Sequence, residues 1–200
     1  MEQLLRAADI SELVNETLQR GDSRRGAVLF YRSAAACVNC HASGDGPSPL
    51  GPNLANRQEG LNTAKLTDEY LIRSLLFPSQ DIRAGYETAK VLTDDGTVFT
   101  GIIVEDNPQQ LILRSASDLE HPITISKESI EAKTIDKQSL MPDGLMSGLR
   151  DLSQFFDLAS YVIEVARGGY SVLENSNPQP NNSRSKKIGS TSITRGFSSN

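Results

Sequence analysis

The chain has 200 residues, 20 Lys and Arg against 25 Asp and Glu, a formal net charge of −5 and 38% hydrophobic residues. That length suits one domain carrying an insertion, or one and a half domains. The acidic balance argues against nucleic acid as a partner, and no apolar run is long enough to span a bilayer.

Residues 4–19 (LLRAADISELVNETLQ) have helical spacing with a loose apolar face, so residues 1–20 read as a lead-in helix or the remnant of a preceding domain. Asp22 and Ser23 offer an N-cap to a helix over residues 24–34. Gly26 and Phe30 share one face of that helix, and the small Gly26 permits close packing against another helix.

Residues 37–41 then read Cys37-Val38-Asn39-Cys40-His41. C-x-x-C-H is the attachment signature of a c-type haem: two thiols for two vinyl groups, then a histidine as proximal iron ligand. The rivals are weighed by what else they need. A thioredoxin-like pair expects a βαβ context and no adjacent histidine. A zinc site wants four ligands. Beyond these three residues the chain offers only His121 and carboxylates. A Cys37–Cys40 disulfide is the plain structural alternative. In the loop Gly51-Pro52-Asn53-Leu54, the Pro52 carbonyl is a candidate acceptor for the second ring N–H of His41, although Gly and Pro would also mark an ordinary turn.

Thr67-Asp68-Glu69-Tyr70 caps a short helix over residues 71–77, which Pro78 ends. Over residues 86–136 the period changes to that of strands. TAKVLT, TVFTGIIVE, QQLILRS, PITIS and SIEAKTI are separated by turn signals such as Asp95-Gly96 and Asn107-Pro108. Five short strands suggest a small antiparallel barrel or curled sheet. The segment clusters no histidine, cysteine or serine–base pair, and His121 reads as a surface residue at a turn before Pro122.

Ser139-Leu140-Met141-Pro142-Asp143-Gly144 follows. Pro142 disfavours helix at Met141, which leaves the methionine on an extended segment. Methionine is the usual second axial ligand in cytochromes c, so Met141 is the candidate distal ligand and Met146 the candidate core filler. A final helix over residues 152–167 carries the broad apolar stripe Phe155, Phe156, Leu158, Ala159, Tyr161, Val162 and Val165 and is the expected partner of the Gly26 helix. Residues 175–200 are polar and basic, a disordered tail by composition, which leaves about −8 on residues 1–173.

The succession GDSRRGAVLF, CVNCH, GPNL, LTDEYLIRSLLFPSQDI, a DG-containing β insertion, SLMPDGL and DLSQFFDLASYV resembles the class I-like c-type haem-binding domain of planctomycetes and verrucomicrobia over residues 21–167. In that family the domain often ends large secreted proteins with propeller or dehydrogenase-like modules. The resemblance implies thioether anchors at Cys37 and Cys40, His41 as proximal ligand and Met141 as distal ligand. The expected fold is a mainly α cytochrome c core, three or four helices around haem, with an inserted small antiparallel β-barrel or sheet, α+β overall. The expected organisation is a haem domain over 21–85 and 137–169 and a β module over 86–136. The expected function is single-electron transfer by one covalent haem c, without substrate chemistry at the iron. The partner is then a redox protein or a fused dehydrogenase-like module. Haem attachment implies a periplasmic or otherwise extracytoplasmic site, although the first thirty residues hold no apolar export segment. The competing functions are a haem enzyme or sensor with an open distal site, a thiol–disulfide module on Cys37 and Cys40, and an interaction module in which the β segment acts.

Overall fold

The computed structural model describes residues 1–32, 37–42, 48, 50–55 and 66–168. The expected disordered tail lies outside these residues. Five α-helices are described: α1 (Glu2–Ala7), α2 (Ile10–Arg20), α3 (Ser23–Arg32), α4 (Asp68–Leu76) and α5 (Leu152–Gly168). Their starts follow from capping chemistry. Asp9 accepts the Ser11 and Glu12 amides of α2, Asp22 the Arg24 and Arg25 amides of α3, and Thr67 the Tyr70 amide of α4.

The helical layer is organised by α5, ten of whose residues are buried. Helix α3 lies directly against it at Gly26, where a Cβ would overlap the Asp157 carbonyl. Only glycine allows that approach, so the backbones meet and the Phe30 and Tyr161 rings pack in a tilted pair, 5.3 Å between centroids. Asp157 is buried and paid for by partners: it accepts the Asp22 amide at 2.8 Å and the Arg25 guanidinium at 2.7 and 2.8 Å. Helices α1 and α2 belong to the same core through Leu5, Leu13 and Val14, although residues 4–19 read only as a lead-in.

The second layer is a five-stranded antiparallel sheet of β1 (Thr88–Thr93), β2 (Val98–Asp106), β3 (Gln110–Ser115), β4 (Asp118–Ser126) and β5 (Ile130–Ile135), in the order β4-β3-β2-β1-β5. Strict alternation sends Ala89, Val91, Leu111 and Leu113 to one face, where with Ile125 they make a core separate from the helical one. Gly96, at φ +80°, makes the β1–β2 turn. Only residues 127–129 join the two edge strands β4 and β5. Four extended residue steps span at most about 14 Å. Four flat inter-strand gaps would span about 19 Å. The sheet must therefore curl, and Asp106 of β2 bonds both Lys127 of the connector and Lys133 of β5.

The expectation of a mainly α cytochrome c core with a small inserted barrel is corrected by this architecture. The described chain is a mixed structure: five helices on one core, and an open sheet on a core of its own. Barrel closure would need β4 to pair with β5, and the described ladders contain no such pairing. The reason is edge chemistry. Pro122 removes a donor from β4, and exposed Glu120, His121, Glu131 and Lys133 line the two edges. His121 is in β4 rather than at a turn, exposed and 3.0 Å from Asp118.

The sheet starts and ends at one place. Ala89 pairs with Ile135, and the Asp136 amide donates to the Thr88 carbonyl at 2.7 Å. The chain thus leaves the helical layer and returns beside its exit, and Met141 follows the return. No helix among the described residues is long and apolar enough to cross a membrane.

Candidate functional site

Between the helices and the loops opens a cavity of about 1180 Å³, counting its mouth. Cys37, Cys40, His41, Pro52 and Met141 all line it, together with Leu71 and Leu75 of α4 and Val162 and Ala166 of α5. Residues some hundred positions apart in the chain thereby share one apolar chamber.

The first wall is built by a tight turn. The Cys37 carbonyl accepts the Cys40 amide at 3.1 Å and the His41 amide at 2.9 Å, closing a 3₁₀ turn over Cys37–Asn39. The Cys40 carbonyl in turn accepts the Leu50 amide at 3.1 Å and the Gly51 amide at 2.8 Å. Ser48 adds a hydroxyl bond to the Cys40 carbonyl and takes the Ala42 amide at 2.7 Å. These bonds fold the Gly-Pro-Asn-Leu loop onto the histidine. The Pro52 carbonyl lies 2.9 Å from His41 Nδ1. A carbonyl only accepts, so Nδ1 carries the proton and Nε2 is the bare nitrogen. Gly51 is required here because a Cβ would overlap the imidazole. Burial lowers the His41 pKa below its ordinary value despite the Pro52 bond, which holds the ring neutral.

Burial acts in the opposite direction on the thiols. Cys37 is pushed up to about 11 and Cys40 is also raised, so both stay protonated at neutral pH. Both are free. Thiol–disulfide catalysis needs the reverse, a thiolate stabilised by positive charge or a helix N-terminus.

Met141 reaches the cavity on a segment tied down just before it: the Ser139 amide donates to Ser79 Oγ at 3.1 Å, and the Met141 amide to Ser139 Oγ at 3.1 Å. Met146 is fully buried in the helical core and is a packing residue. His121 is not among the lining residues. Among the described residues no three His, Cys, Asp or Glu side chains gather into a metal cage, which leaves a zinc site without its donors.

Four polar lining residues carry no sequence signature: Tyr70, Asp81, Arg83 and Tyr86. Burial raises the Tyr70 hydroxyl, with Asp81 adding to the shift and Arg83 opposing it. No protein-family model matches the chain, and no curated protein matches it.

Proposed function

We propose that the chain is a mono-haem, c-type electron carrier, with Cys37 and Cys40 as thioether anchors and His41 and Met141 as axial ligands. One observation carries the reading: the two thiols, an imidazole with only its Nε2 bare, and the Met141 thioether all line one apolar cavity. The residues fit the group. The chamber opens between α4, α5 and the loop that carries Pro52, with both cysteines and His41 on one wall. Its walls are mostly aliphatic, and its polar atoms are few.

Haem c would supply a one-electron Fe(III)/Fe(II) couple. The protein's part is to hold and tune it. The raised pKa values of the two thiols disfavour the thiolate through which a Cys37–Cys40 disulfide would form. Pro52 fixes the His41 tautomer and ring plane, and Gly51 gives that ring its room. Met141 would supply a sulfur ligand to the iron, which would raise the potential and leave no coordination site open to substrate. That favours an electron carrier over a haem enzyme or sensor. The donor or acceptor would be a redox protein or a fused dehydrogenase-like module, and attachment of haem would take place outside the cytoplasm.

The test is an absorption spectrum of protein exported with haem-attachment machinery, wild type against Met141→Ala. Haem that survives acid–acetone extraction, a low-spin spectrum, and loss of the methionine–iron band in the variant are expected. Extractable haem overturns the reading. A high-spin wild type transfers it to an open-site enzyme or sensor.

A further inference from the structure

Arg83 is the anomaly of the cavity. It lines the chamber just after α4, yet its Nε and Nη2 atoms are buried with no hydrogen-bond partner among the described residues. Its guanidinium lies over the Tyr86 ring, 5.8 Å from the centroid, close to the limit of a cation–π contact. Asp81 lines the same chamber, but no ion pair joins the two among the described residues. The residue as a whole is half-buried, but two guanidinium N–H donors shut off from solvent without acceptors are unfavourable. The arginine is therefore built for something that arrives.

We infer that Arg83 receives a carboxylate of the bound macrocycle, one of the two propionates every haem carries. The inference rests on the haem reading above. The propionate supplies the missing charge and acceptor atoms. The planar fork of an arginine can bind both oxygens of a carboxylate, which a lysine point charge does not reproduce. The contact sets which edge of the ring enters first, since the thioether side is fixed by Cys37 and Cys40. It also neutralises a negative charge close to the redox centre, which makes reduction easier.

The measurement is the midpoint potential of the exported, haem-loaded protein between pH 5 and pH 8, for wild type, Arg83→Gln and Arg83→Lys. The other titratable groups facing the chamber are Asp81, Tyr70, Tyr86, His41, Cys37 and Cys40. Asp81 is the only protein carboxylate among them, so Arg83→Gln is repeated on Asp81→Asn. The expected result is a lower potential in Arg83→Gln, falling with rising pH across a range where wild type does not, because the propionate now takes up a proton. Arg83→Lys restores much of the potential, and the new slope persists without Asp81. Where Arg83→Gln loads poorly, Arg83→Met, which keeps the apolar stem, is read the same way. Covalent haem with a wild-type profile in the uncharged variants overturns the Arg83 assignment alone. A slope that vanishes with Asp81 overturns it too. A wild type without covalent haem overturns this inference and the functional reading together.

Discussion

At the scale of single residues, Gly51 and Cys37 decide how the chamber behaves. A Cβ at Gly51 has no space beside the His41 ring. Gly51→Ala is therefore expected to displace the imidazole from Pro52 and lower stability by about 1–3 kcal/mol. A lower haem-to-protein ratio and a lower midpoint of thermal unfolding, both against wild type, are the readouts. The Cys37 thiol gives a pH signature of the haem-free chain. Its pKa rises from an ordinary 9.0 to about 11 in the folded state. Between those values the unfolded chain releases a proton that the folded chain keeps, so stability is intact below pH 9 and falls as pH climbs toward 11. The loss is about 2–3 kcal/mol by the upper end. Denaturant titrations at pH 8 and pH 10.5 should show it, and Cys37→Ser should remove most of it.

Among elements, the α3–α5 crossing holds the helical layer, and its weak point is Gly26. Alanine there must push against the Asp157 carbonyl, which the Arg25 and Asp22 contacts hold in place. The expected cost of Gly26→Ala is about 1–3 kcal/mol, read as a lower denaturation midpoint with an unchanged slope. The pairing of these helices was legible because glycine, phenylalanine and the α5 stripe recur at helical spacing. All five strands were legible too, from alternation and from turn residues such as Asp95-Gly96. Their arrangement was not. Whether β4 meets β5 depends on Pro122 and on charged edge residues acting across the sheet, not on the period of either strand.

The molecule as a whole consists of a helical part and a sheet, the chain leaving the first at β1 and returning to it after β5. Each layer has its own core. Replacing residues 88–135 with a short Gly/Ser linker should therefore leave cooperative unfolding and helical circular dichroism in the remainder. The absence of a cooperative transition would mean that the layers depend on each other. The sheet also reaches toward the site: Arg114 of β3 donates to the Ser48 carbonyl at 3.2 Å, beside Cys40. The shortened chain is expected to bind haem less completely through loss of that support.

The chain's own order determined which chemistry it can attempt. Cys37, Cys40 and His41 are adjacent in sequence, so covalent geometry alone keeps them together. Met141 and Pro52 stood out by residue type and by the turns around them. Only tertiary structure decided that these segments line one chamber, and that Met146 goes to the core instead. It also decided that Gly51 must be glycine and that Arg83 turns two unpartnered guanidinium nitrogens into the chamber wall. Those facts depend on contacts between residues far apart in the chain. A helical or strand period reports which face of a segment is apolar, and says nothing about what that face meets.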